Sequence, residues 1–88
     1  MKDSERLRLL GGGFRNRLSD QDISFALGYI DFNEALLALD TLCNYICERD
    51  IGVSQEEYNE IVSLNENFGS PLGKEILSYL KNLISEDR

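Results

Sequence analysis

The chain has 88 residues, of which 42% are apolar and 28% charged, and its formal net charge is −7. This length fits one small domain with a thin core, and the composition excludes an intrinsically disordered chain. No apolar run reaches the roughly 18 residues that a membrane span needs, and the first ten residues lack the apolar stretch of a secretion signal. The sequence therefore predicts a cytoplasmic protein.

The first predicted helix is short and basic. Asp3 or Ser4 can cap it, and it ends at the glycine run 11–13, which resembles no phosphate-binding loop. Five of the seven charges in residues 1–18 are positive, and four of those are arginines. We expect this segment to be loosely attached through a flexible glycine joint, with its arginines paired to the acidic body or solvated.

Two helices are predicted in the middle of the chain. Ser19 caps the second helix, which runs to about Tyr29 and carries the apolar side chains of Ile23, Phe25, Ala26, Leu27 and Ile30. Asn33 is the next plausible cap, before a strongly periodic helix over residues 34–49. The apolar stripe of this helix is wide, so we expect neighbours on more than one side; it consists of Leu36, Leu39, Leu42, Cys43, Ile46 and Cys47, widened by Leu37 and Ala38.

Two further helices complete the chain. Residues 54–57 read Ser-Gln-Glu-Glu, a capping box, and the fourth helix continues until Gly69. Ser70 and Pro71 then suit the N-cap and first position of a last helix that ends at about Ser85. No alternating strand pattern or internal repeat is present, so the sequence predicts a single all-α domain over residues 1–88, a small bundle of four to five helices.

Catalytic and metal-binding residue types are scarce. The chain has no histidine, and Cys43 and Cys47 stand four apart on one helix face, where two small buried side chains are expected rather than a disulfide or a zinc site. The adjacent carboxylates fall in first helical turns, where the helix dipole alone accounts for them. We predict no enzymatic activity and no cofactor or metal.

The strongest feature is charge. Between residues 19 and 70 there is one basic residue, Arg49, against eleven carboxylates: Asp20, Asp22, Asp31, Glu34, Asp40, Glu48, Asp50, Glu56, Glu57, Glu60 and Glu66. Such a field attracts positively charged partners and repels nucleic acid and anionic membranes. Direct nucleic-acid or membrane binding is therefore not expected.

The order of residues over about 18–70 resembles the MafI-type immunity proteins. The resemblance rests on Ala-Leu-Gly-Tyr-Ile at 26–30 and Ala-Leu-Asp-Thr-Leu-Cys at 38–43, with Glu34 between them. It continues with Asp50-Ile51, Ser54, Glu57, Ile61 and Leu64. These short helical proteins accompany secreted polymorphic toxins, including those of contact-dependent growth inhibition systems.

The resemblance implies an antitoxin that binds a cognate basic nuclease domain, CdiA C-terminal or MafB-like, often an EndoU-like ribonuclease. We expect a monomer that binds one-to-one and blocks the toxin with an acidic helical surface. The expected toxin contacts are Asp31, Glu34, Asp40, Glu48, Asp50, Glu56, Glu57, Tyr58 and Glu60. Two other hypotheses fit the sequence: a regulatory adaptor bundle for a basic protein, and a homo-oligomeric structural module.

Overall fold

A computed structural model describes residues 1–85 and contains five α-helices. They are α1 (Asp3–Gly12), α2 (Asp20–Gly28), α3 (Ala35–Glu48), α4 (Gln55–Asn67) and α5 (Lys74–Asn82), with a 3₁₀ helix over Tyr29–Phe32 between α2 and α3. The prediction of a small all-α bundle is confirmed. None of the helices described is long and apolar enough to cross a membrane.

Helix α3 is the centre of the bundle. It contacts every other α-helix and the 3₁₀ helix, and its side chains of Ala38, Leu39, Leu42, Cys43 and Ile46 are buried. This confirms the expectation of neighbours on more than one side. Its first turn differs from the prediction, because Asn33 adopts a left-handed backbone and Glu34 takes the N-cap position.

The N-terminal segment is part of the core, so the expectation of a loose attachment is wrong. Leu7 and Phe14 are fully buried, and Leu10 and Leu18 nearly so. Helix α1 packs against α2, α3 and α4. The glycine run suggests a joint, but buried side chains lie on both sides of it and pack the whole segment into the bundle.

The glycine run is a close-packing device rather than a joint. Helix α1 continues through Gly11 and Gly12, and a Cβ atom added at Gly11 would lie 2.9 Å from Cδ2 and 3.2 Å from Cγ of Leu27 on α2. The same addition at Gly12 meets no atom within 4 Å. The missing side chain of Gly11 therefore lets Leu27 approach the α1 backbone.

These two glycines make a matched pair for a stability measurement. We expect Gly11→Ala to lower the free energy of unfolding by about 1 kcal/mol, since overpacking outweighs the gain in helix propensity. Gly12→Ala should raise it by up to about 1 kcal/mol, because alanine restricts the unfolded chain and meets no neighbour. Urea denaturation of both variants would check this; equal stabilisation by the two would contradict the packing role of Gly11.

The junction between α4 and α5 is built around Asn65, the one polar side chain that residues 1–85 bury. The side-chain Oδ1 atom accepts a hydrogen bond from the amide of Leu72 at 2.9 Å. The backbone carbonyl of Asn65 accepts one from the amide of Ser70 at 2.7 Å. Gly69 has a φ of 87°, as expected of a C′ glycine, and Ser70 also has a positive φ, 61°.

This junction shifts the start of the last helix. A residue with positive φ does not have the extended backbone of an N-cap, so Ser70 and Pro71 do not open α5; Gly73 takes the N-cap position. The helix also ends at Asn82, earlier than predicted. There the chain turns to pair with Val53, whose amide donates to the Leu83 carbonyl at 3.0 Å and whose carbonyl accepts from the Ser85 amide at 2.8 Å.

Candidate partner-binding surface

Arg17 connects three parts of the bundle, because it bonds to Glu57 on α4, to the loop before α4 and to the end of α1. Its guanidinium donates to both carboxylate oxygens of Glu57, at 2.9 and 2.6 Å, and to the carbonyls of Gly52 and Gly13, at 2.9 and 2.7 Å. Glu57 also completes the capping box, because its Oε1 accepts from the Ser54 amide at 2.9 Å. Glu57 was a predicted toxin contact, but this carboxylate is engaged inside the molecule.

Glu60 has a similar internal role. Arg6 of α1 donates to both of its oxygens at 2.9 Å, and the same guanidinium reaches the Ser63 hydroxyl at 2.9 Å and the Asp3 carboxylate at 3.1 Å. The bidentate pair of Arg6 and Glu60 holds α1 against α4.

The remaining arginines of residues 1–85 are paired as well. Arg8 meets Asp31 at 2.7 Å and Arg15 approaches Asp20 at 3.7 Å. Arg49 meets Asp22 at 3.1 Å and its neighbour Glu48 at 3.5 Å. Pairing or solvation was expected for the four N-terminal arginines, and the structure shows that all four are paired with carboxylates of the acidic middle.

Internal pairing divides the predicted contact residues. Asp31, Glu48, Glu57 and Glu60 take part in ion pairs, and of these Glu57 and Glu60 are the more enclosed. Within residues 1–85 no ion pair engages the other four predicted acids or Glu66, which leaves five carboxylates of the acidic middle uncompensated: Glu34, Asp40, Asp50, Glu56 and Glu66. Together with one charge left over where Asp22 and Glu48 share Arg49, these five account for the negative charge that internal pairing leaves in residues 19–70.

The predicted contacts do not all share one surface. Glu56, Glu57 and Glu60 line an open groove of about 400 Å³ between α1 and α4, together with Met1, Arg6, Leu9 and Leu10. Glu34 precedes α3 and Asp50 follows it. The Tyr79 hydroxyl of α5 donates to the Asp50 carboxylate. Tyr58 is half-buried against the core, so it presents less surface than an anchoring tyrosine would.

The pKa values of two paired carboxyls follow from this arrangement. Partial burial opposes ionisation of Glu57, but the hydrogen bonds from Arg17 and Ser54 outweigh it and lower its pKa below the ordinary value of 4.5. The hydrogen bond from Arg6 likewise lowers the pKa of Glu60. Both carboxyl groups therefore stay ionised to a lower pH in the folded protein than in the unfolded chain.

A lowered folded-state pKa adds stability above the unfolded-state value and loses it as the pH falls through the folded-state value. We therefore expect the stabilisation by Arg17 to be fully present at pH 7 and to decline below the ordinary pKa of 4.5. Urea titrations of the natural protein and of Arg17→Met at several pH values would measure it. The stability difference between the two should shrink on acidification; a difference independent of pH would contradict the role of the Glu57 charge.

The cysteines have the expected character. Cys43 is fully buried and Cys47 half-buried, and both thiols are free. Burial raises the pKa of both thiols, so neither is activated as a nucleophile. Within residues 1–85 no group of three or more cysteine, aspartate or glutamate side chains is placed to hold a metal ion.

An exposed aromatic surface is the main feature that the sequence did not reveal. Phe25 and Leu36 are among the apolar positions that predicted the second and third helices, yet their exposed fractions are 57% and 42%, and Phe32 is 78% exposed. Phe25, Tyr29 and Phe32 line an open cleft of about 290 Å³ with Ser24 and Gly28, here named the aromatic cleft. The four-residue spacing places Phe25, on the exposed side of α2, beside Tyr29 at the start of the 3₁₀ helix.

A scan against protein-family models, a search of curated proteins and a search of solved structures each found no match for the chain.

Proposed function

We propose that the protein is a cytoplasmic immunity protein that binds a cognate basic toxin domain one-to-one and neutralises it without catalysis. The toxin would be an EndoU-like or other ribonuclease of a contact-dependent growth inhibition system. The resemblance of residues 18–70 to MafI-type immunity proteins supports this class of partner, and the charge of the folded chain supports the mode of binding.

The observation that carries the proposal is the charge that remains after internal pairing. All five arginines of residues 1–85 already face carboxylates, whereas five carboxylates of the acidic middle face no cation in that part of the chain. A nuclease site that holds phosphates is basic, so an acidic surface can occupy the same site and exclude RNA. Attraction between opposite charges also accelerates the encounter.

The contact residues follow from the same division. Glu34, Asp40, Asp50 and Glu56 make no ion pair within residues 1–85 and are the proposed contacts; Asp40 is half-buried, and Asp50 accepts a bond from Tyr79. Glu48, 66% exposed beside Arg49, can join them. Asp31, Glu57 and Glu60 support the interface indirectly, because they hold α1 and the 3₁₀ helix in place. Inhibition would consist of occupation of the toxin site, with no bond made or broken.

Co-expression tests the proposal. The chain would be produced in a host together with the product of the open reading frame immediately upstream, and growth and co-purification would be scored. We expect rescue of growth and a stable one-to-one complex. The matched control carries an early stop codon in the immunity gene and should give no rescue. Equal growth with both versions, or rescue without a complex, would contradict the proposal and favour an adaptor for another basic protein.

A further inference from the structure

The aromatic cleft is an unusual surface for a small acidic domain. Phe32 and Phe25 expose 78% and 57% of their surface, whereas seventeen apolar side chains elsewhere in residues 1–85 are buried in one core. Large exposed aromatic side chains that lie together are typical of a contact site and are enriched where partners anchor.

The cleft is held in shape by its surroundings. The rings of Phe25 and Tyr29 meet edge to face with their centres 5.6 Å apart. The 3₁₀ helix that carries Phe32 is closed by two backbone bonds, from Asn33 to Ile30 at 3.0 Å and from Glu34 to Tyr29 at 2.9 Å. A site fixed before binding loses little conformational entropy when a partner arrives.

The charge beside the cleft is negative. Glu34 follows Phe32 by two residues, is exposed and has no ion pair within residues 1–85. On the other side, the wall formed by Ser24 and Gly28 separates the cleft from Arg8, whose charge is cancelled by Asp31 at 2.7 Å, and from Arg15, which faces Asp20. The residue with this unpaired carboxylate is joined to the cleft segment through its backbone, because the Glu34 amide donates to the carbonyl of Tyr29 at 2.9 Å.

A second copy of the chain is a poor occupant of this surface. A two-fold dimer places the same patch on both subunits, so the Glu34 carboxylates would approach each other between two molecules that each carry a net charge of −7. An arginine side chain suits the site better. Its planar guanidinium can stack on an aromatic ring and also bond to Glu34, while its apolar stem packs against the cleft.

We propose that the aromatic cleft, with Glu34 at its edge, receives an arginine side chain flanked by apolar residues from a basic protein partner. The identity of that partner as a toxin rests on the proposed function, whereas the chemistry of the site does not. Phe25, Tyr29 and Phe32 supply the stacking surface, and Glu34 supplies the counter-charge. This site would orient a partner that the outward acids attract.

The experiment uses the tripeptide acetyl-Leu-Arg-Leu-amide as the probe and follows the backbone and ring signals of the full chain by NMR. We expect saturable shifts at Phe25, Tyr29, Phe32 and Glu34 at about millimolar peptide, the range of a single small contact. Acetyl-Leu-Glu-Leu-amide should leave these signals in place. Phe32→Ser should reduce the shifts at least fivefold, whereas Leu9→Ser, an equally polar change at a 64% exposed residue of α1, should not.

The assignment would be overturned if the signals that shift lie elsewhere on the surface, or if the glutamate peptide shifts the cleft signals equally. It would also be overturned if no signal shifts at peptide concentrations up to about 20 times the millimolar range. Circular dichroism would verify that each variant is folded. Sedimentation of the free protein adds a further check, since a dimer that Phe32→Ser dissociates would make a second copy the occupant. Peptide binding at the cleft together with failure to rescue growth would refute the toxin partner alone and leave the site itself supported.

Discussion

Asn65→Ala is expected to lower the free energy of unfolding by about 3 kcal/mol, the larger part of it from one unpaired amide and the rest from a small cavity. The side-chain oxygen of Asn65 is the acceptor for the Leu72 amide, and both residues are buried, with 4% exposure each. Water cannot replace the lost acceptor without entering the core. Thermal and urea denaturation would measure the change.

Two further substitutions separate the hydrogen bond from other effects. Asn67→Ala changes the same residue type on the same helix, but Asn67 is exposed and makes one side-chain bond, 3.2 Å long, to Asp3. We expect it to change stability by less than about 0.5 kcal/mol. Asn65→Asp keeps an acceptor oxygen and should be less damaging at low pH than at neutral pH, since a buried carboxyl resists ionisation. Equal losses for Asn65→Ala and Asn67→Ala would contradict the junction described here.

Reversing two outward acids should have the largest effect on partner binding. Glu34→Lys with Glu56→Lys changes the net charge from −7 to −3, because each reversal adds two units. Both side chains are exposed and neither makes an ion pair within residues 1–85, so the fold should tolerate the change. We expect association with the proposed basic partner to slow by about tenfold at low salt and less at high salt. Stopped-flow mixing would give the rate.

A second double variant controls for net charge alone. Glu66→Lys with Glu75→Lys also gives −3, and it likewise places one lysine in the first turn of a helix, here α5. Neither residue is a proposed contact. We expect a smaller decrease in rate, of about threefold or less, because only the overall field changes. An equal decrease in both variants would mean that Glu34 and Glu56 lie outside the interface.

Local signals made much of the fold predictable. Ser19 and Ser54 accept hydrogen bonds from the amides of Asp22 and Glu57, both at 3.0 Å, as expected of N-cap serines. The periodicity of residues 34–49 identified the central helix, and Gly69 marked the end of α4. Each of these features depends on residues within one or two turns, which is the range over which a sequence pattern is informative.

The errors concern residues whose role is set by distant parts of the chain. Gly11 is required by Leu27, and the start of α5 is set by Asn65. Glu57 and Glu60 were assigned to a partner because their arginines stand 40 and 54 residues away, beyond any local pattern. The outward position of Phe25 depends on which face of α2 the remaining helices cover. No spacing rule supplies that information.

The dispersal of the outward acids has a consequence for how a partner would arrive. They stand at both ends of α3 and at both ends of α4, with Asp40 between, rather than on one face. Charge spread in this way pulls a cationic body inward from many directions but exerts little torque on it. Long-range attraction would then govern how often the two molecules meet, while the productive orientation would be selected only after contact, by shape and short-range chemistry.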